Sequence, residues 1–213
     1  MERSSRAATY DALSRWYSLL SDPSEGRLRR ECIASLRLQP GETVIEIGPG
    51  PGTDLPALAA KVGRAGAVYA VDVSRGMLRQ CRRRLARDRR GAIPHLILGD
   101  ALRLPFRDNA IDAVLLSFTL ELFGESEIPR VLQETARTMH GEGRLGIVSL
   151  SNRRPHELAT RLYWRAHKAL PGLVDCRPID AERVVMAGGY SVTDETTRNL
   201  WGLRVSILVA RKT

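Results

Sequence analysis

At 213 residues with 43% hydrophobic content, the chain is long enough to bury one sizeable core, and a single domain over 1–213 is expected. Its longest apolar stretches, around Ala113–Phe118 and Val205–Ala210, are far shorter than the roughly 20 residues a membrane-spanning helix needs; MERSSRAATYDALSRWY has no apolar signal core, so cytoplasmic residence is expected. The formal charge of +9 would suit an anionic partner, yet lysine occurs only at Lys61, Lys168 and Lys212, and an arginine skew of this kind also arises from coding bias.

Residues 1–39 read as helical, with Leu13, Trp16, Tyr17 and Leu20 on one stripe and a break at Ser21–Asp22–Pro23. They precede the first strand and are expected to form a lid over the mouth of the sheet. After residue 40, short aliphatic runs alternate with stretches of helical spacing, the mark of a parallel sheet with crossover helices. The strands are expected at Thr43–Gly48, Ala67–Asp72, His95–Gly99, Ile111–Ser117 and Arg144–Leu150, and the helices at Asp54–Val62, Arg75–Arg87 and Ser126–Met139. Gly141 is expected to end the third helix as a left-handed cap. Pro155 then opens a helix to about Leu170, and two alternating segments, Tyr190–Thr197 and Leu203–Arg211, suit a closing hairpin. The fold class is α/β: a Rossmann-like, doubly wound, mostly parallel seven-stranded sheet with a C-terminal antiparallel hairpin. Within it, residues 40–150 form the binding core and 151–213 the substrate side.

Chemistry is concentrated at the carboxyl ends of these strands. The first ends in Glu46-Ile47-Gly48-Pro49-Gly50-Pro51-Gly52-Thr53, three alternate glycines that turn the backbone sharply and leave room for a ligand. A dinucleotide fingerprint would need glycine at position 53, where Thr53 stands, so the loop suits a nicotinamide cofactor poorly. The second strand ends in Asp72, about 20 residues on, placed to accept ribose hydroxyls. A helix N-cap beside Ser74 would also explain a carboxylate there. Met77 could cover an adenine face, although its helical spacing with Cys81 is equally that of core. Asp100 ends the third strand, and Glu121 follows the fourth. With Asp54, these acids form a local negative cluster in a basic protein, which favours a cationic ligand and would repel a pyrophosphate.

The strings VIEIGPGPGT, VDVSRGML and GDALRLPFRDNAIDAVLLSF resemble the successive motifs of class I S-adenosylmethionine-dependent methyltransferases, nearest the branch of quinone-biosynthesis C-methyltransferases. The likeness runs from about residue 40 to 150. It implies S-adenosylmethionine as cofactor, with Gly48, Gly50 and Gly52 lining its methionine portion, Asp72 on the ribose, and Asp100 with Ala101 flanking the adenine. Glu46 would fix the loop, Tyr10 or Tyr17 would close over the donor, and Thr53, Val73, Met77 and Ser117 would complete the set. One departure is Met139-His140-Gly141-Glu142-Gly143, where Leu-x-Pro-Gly-Gly is usual.

Methyl transfer needs alignment and exclusion of water more than it needs catalytic groups. If the acceptor must lose a proton, His156 and Glu121 are the candidate bases, with Arg154 or Tyr10 to orient it; His156 is better explained as an ordinary first-turn residue of its helix. Arg79, Arg82, Arg83, Arg84 and Arg87 read as a solvated helix face. Nucleic acid is disfavoured as partner, because Ser117-Phe118-Thr119-Leu120 lacks the Asn/Asp-Pro-Pro-aromatic motif of base-amino methyltransferases and no RNA-binding module is visible. Cys32, Cys81 and Cys176 lack paired spacing, so no metal is expected. A small or lipid-like acceptor such as a quinone precursor is the first expectation, with a phospholipid headgroup as alternative and peripheral membrane contact through the Leu13–Leu20 stripe as a corollary. A nicotinamide-dependent reductase and a non-catalytic adenosine-binding module are the readings from other classes.

Overall fold

The structure is a computed structural model that describes residues 23–87, 92–153 and 177–213. Its chain order is α1 (Pro23–Ser35), β1 (Thr43–Ile47), α2 (Leu55–Val62), β2 (Ala67–Asp72), α3 (Arg75–Leu85), β3 (His95–Leu98), β4 (Ile111–Ser117), a 3-10 turn at Leu120–Leu122, α4 (Ile128–Thr138), β5 (Met139–Leu150), α5 (Ala181–Ala187), β6 (Tyr190–Leu200) and β7 (Leu203–Lys212). The strands form a seven-stranded sheet in the order β3-β2-β1-β4-β5-β7-β6. β1 to β5 are parallel, and β7 and β6 close the sheet antiparallel, as the alternation predicted.

Side-chain alternation along the strands divides the interior into two layers. In β4, Ala113 and Leu115 face the layer shared with Leu28 and Ile33 of α1, Leu36 just after it, Leu55 and Leu58 of α2, and Cys81 of α3. Val114 and Leu116 face the opposite layer, with Val131 and Leu132 of α4 and Val185 of α5. Burial on both faces explains why β4 reads as apolar from Ala113 to Leu116.

Two expectations are corrected. The α4 helix ends at Thr138, Met139 is already extended (φ −76°, ψ 140°), and Gly141 is not among the positive-φ glycines. The chain passes directly into β5, which begins at Met139 instead of Arg144 and carries a bulge opposite Ile111–Ala113. His140 explains this: its Nε2 bonds Asp112 at 2.7 Å and its Nδ1 accepts Glu142 N at 3.1 Å, so side-chain bonds hold the junction where a glycine cap was expected. The second correction concerns residues 23–35 of the expected lid. Leu28, Cys32, Ile33 and Leu36 form a stripe of helical spacing that docks α1 on the sheet face, not over its mouth. Residues 1–22 and the helix expected at 155–170 lie outside the described residues, and α5, capped by Asp180 Oδ1 on Arg183 N, went unrecognised in the sequence.

Candidate cofactor site

The loop from Gly48 to Thr53 leaves the carboxyl end of β1, the strand in the middle of the parallel set, where adjacent connections diverge to opposite faces. Its three glycines have positive φ (64°, 53° and 74°) but differ in what surrounds them. A Cβ on Gly48 would lie 2.5 Å from Thr119 Cγ2, and one on Gly52 would lie 2.9 Å from Cys81 Sγ. On Gly50 it would meet nothing within 4 Å. Gly48 and Gly52 are therefore demanded by protein packing, while Gly50 alone faces open space.

Side chains that the sequence did not assign to this loop hold it from behind. Thr119 Oγ1 donates to Ser117 O at 2.9 Å and to Gly48 O at 3.3 Å. Cys81 Sγ donates to Gly50 O at 3.1 Å, and Arg84 Nε to Pro51 O at 3.1 Å. Of the basic helix, Arg79, Arg82, Arg83 and Arg87 are exposed as expected, whereas Arg84 turns inward to the loop. No periodicity flags Thr119 or Arg84, because their partners are 71 and 33 residues away. Cys81 is buried, and burial pushes its thiol up to about 12, so it is a packing thiol and not a nucleophile.

Behind the loop sits a buried acidic group. Glu46 is 2% exposed, and its Oε2 has no hydrogen-bond partner among the described residues. Burial first, and then Asp54, raise its pKa well above the usual carboxylate range. Asp54 lies 3.4 Å from Arg29 Nε of α1, and burial pushes it up to about 6 despite that pairing. It does not cap α2 with its side chain; the ion pair to α1 accounts for it.

The remaining acids lie along the same edge. Asp72 Oδ1 accepts Ser74 N at 2.8 Å, and Ser74 caps α3 by accepting Met77 N at 3.1 Å. Val73 is exposed, while Met77 is buried at 3%. Asp100 Oδ1 accepts Leu102 N at 2.9 Å beside the buried Ala101. Ser117, at the end of β4, has a buried Oγ without a partner among the described residues. Phe118 then adopts φ 50°, an uncommon conformation for an aromatic residue, and reverses the chain. That turn sends Thr119 back to Gly48 and Glu121 inward. Glu121 is 2% exposed; its Oε1 accepts Leu150 N at 3.2 Å, its Oε2 has no partner among the described residues, and burial pushes it up to about 8. Tyr10, Tyr17, Arg154, His156 and Cys176 lie outside the described residues. Among the described residues no cluster of ligating side chains could hold a metal, and no helix is long and apolar enough to cross a membrane.

A family model described as a methyltransferase domain matches residues 44–143, from β1 to the β5 bulge. The demethylmenaquinone methyltransferase of Symbiobacterium thermophilum is 31% identical over 198 residues, covering 91% of this chain and 74% of that protein. This chain belongs to the class I S-adenosylmethionine-dependent methyltransferases. The demethylmenaquinone methyltransferase of Thermobifida fusca is 34% identical to this methyltransferase over 170 residues, covering 78% of this chain and 69% of that one. The magnesium protoporphyrin IX methyltransferase of Synechocystis PCC 6803, solved with bound SAH, superposes with a TM-score of 0.72 over 100% of both chains at 17% identity, a likeness of fold. The enzyme uses S-adenosylmethionine, and the edge just described suits it: open space over Gly50, carboxylates at successive strand ends, and unpartnered buried oxygens at Glu46 and Ser117.

Proposed function

We propose that this methyltransferase methylates a ring carbon of a reduced, lipid-like quinone precursor. The observation that carries the reading is the match along nine-tenths of the chain to a relative named as a demethylmenaquinone methyltransferase. In this reading Gly50 gives the methionine portion of the donor access to the loop backbone. Asp72 accepts the ribose hydroxyls, and Asp100 with Ala101 flanks the adenine. A sulfonium in the crevice favours the ionised forms of Glu46 and Asp54 behind it, against the burial that raises both. Thr53, Val73, Met77 and Ser117 complete the wall, and Tyr10 or Tyr17 closes it.

S-adenosylmethionine supplies, when bound, a methyl already activated by its sulfonium. Forming the new carbon–carbon bond requires the acceptor to release one proton, and Glu121 is the group that takes it. Its carboxylate, made basic by burial, is a stronger base than an exposed glutamate, and a cation in the crevice favours its ionised form. Leu150 N fixes one oxygen and leaves the other for the acceptor. His156 is the competing base.

The test is methyl transfer from radiolabelled donor to a demethylated naphthoquinol, with parallel incubations on phosphatidylethanolamine and on S-adenosylhomocysteine-saturated enzyme. Label in the naphthoquinone ring, suppressed by the product analogue, is the expected result. Label in the phospholipid headgroup alone, or in neither acceptor, would remove the reading.

A further inference from the structure

The hairpin joining β6 to β7 turns through two residues, Trp201 and Gly202, both with positive φ (49° and 83°) between the paired Leu200 and Leu203. This is the mirror-image turn whose first position favours Asn, Asp or Gly, residues that tolerate the left-handed region. A bulky aromatic there is disfavoured by the backbone and, at 65% exposure, is not repaid by burial in the protein. Local structure therefore does not account for Trp201. The turn is nevertheless rigid, since Asn199 Oδ1 accepts Gly202 N at 2.8 Å and Leu200 is buried in the core.

The tip also has a defined place. Leu150 at the carboxyl end of β5 pairs with Val205, and Ser151 N donates to Arg204 O at 2.8 Å. The strand ends at Ser117 and Leu150 lie on that same edge, so the hairpin projects beyond the edge that carries the glycine loop and Glu121. From Arg198 to Arg204 the tip carries two arginines and no acid. Arg198 is engaged by Glu31 of α1, while Arg204 makes no ion pair with a described residue.

We infer that this tip is a membrane-docking element: Trp201 inserts at the headgroup boundary of an anionic bilayer, and Arg204 meets the lipid phosphates. An exposed aromatic beside arginine matches that boundary, where the ring is half desolvated and the guanidinium stays in water. Charge complementarity at the tip favours it, because the segment from Arg198 to Arg204 carries two arginines and no acid. Pre-organisation of the turn keeps the entropy cost of insertion small. Docking there would set the crevice edge against the bilayer, so that a lipid-borne acceptor enters from the membrane without crossing water. The inference rests on the proposed lipid-like acceptor for its purpose, but the docking itself is measured separately.

The experiment is co-sedimentation of the full chain with vesicles of equal parts phosphatidylglycerol and phosphatidylcholine, and with phosphatidylcholine alone. The decisive variant is Trp201→Asn, because asparagine suits the turn and leaves the fold intact. Binding to anionic vesicles is expected to fall roughly tenfold in this variant and roughly fivefold in Arg204→Glu, with affinity for S-adenosylhomocysteine unchanged. Wild-type protein that stays in the supernatant, or Trp201→Asn protein that sediments like wild type, overturns the inference. So does a concentration-dependent dimer that Trp201→Asn abolishes, since the tip would then be a protein contact. Methyl transfer to a detergent-dispersed quinol tests the proposed function independently, so either claim can fail alone.

Discussion

Thr119 and Gly48 are interlocked: the threonine hydroxyl donates to the glycine carbonyl at 3.3 Å, and its methyl fills the space a Cβ at position 48 would occupy. This contact fastens the connection after β4 to the loop after β1.

Gly48→Ala is consequently expected to cost about 2–4 kcal/mol of stability, combining left-handed strain with overpacking against Thr119. Thr119→Ala in the same chain should recover part of that loss, because it removes the clash but not the strain. Gly50→Ala, with open space around it, should cost only about 1 kcal/mol in stability while weakening binding of S-adenosylhomocysteine. Urea denaturation and titration calorimetry on the three variants check the pattern.

Asp54 and Glu121 are acids whose folded pKa values, about 6 and about 8, lie above the ordinary 3.8 and 4.5. Over these intervals the folded state binds more protons than the unfolded, so stability falls as pH rises through them. Glu121→Gln keeps an acceptor for Leu150 N but cannot ionise. Its stability relative to wild type should rise between pH 4.5 and 8, while kcat falls by roughly 10²–10⁴-fold if Glu121 is the base. A kcat that matches wild type would return the role to His156.

Asp72→Asn retains an oxygen to accept Ser74 N, so the start of α3 should survive. Affinity for S-adenosylhomocysteine is expected to drop by about 1.5–3 kcal/mol with little change in melting temperature, as for hydrogen bonds to a charged acceptor. Unchanged affinity in calorimetry would take Asp72 out of the site.

Tyr190 Oη bonds Thr135 Oγ1 and donates to Leu132 O, each at 2.9 Å, beneath α4. Tyr190→Phe should destabilise the protein by about 1–2 kcal/mol, since it removes two buried hydrogen bonds without opening a cavity. Activity at 25 °C should be unaffected, because the cluster lies away from the strand ends; denaturation and turnover measured together decide it.

Period-two and helical spacing, with glycines and acids at strand ends, were enough to read the sheet, its closing hairpin and the row Gly48, Asp72, Asp100 and Glu121 from the chain. These signals are local: a strand buried on both faces and a loop that must turn at its end each write their requirement into consecutive residues. What supports the row was not legible. Thr119, Arg84 and Arg29 act on partners that adjoin them only after the sheet is assembled, and their residue types carry no mark of that use. The β5 start was misjudged for the same reason, because His140 finds Asp112 across two strands. Trp201 is the sharpest case. In sequence it is one aromatic between Leu200 and Gly202, and only the antiparallel register of β7 against β5 places it at the edge where the crevice opens.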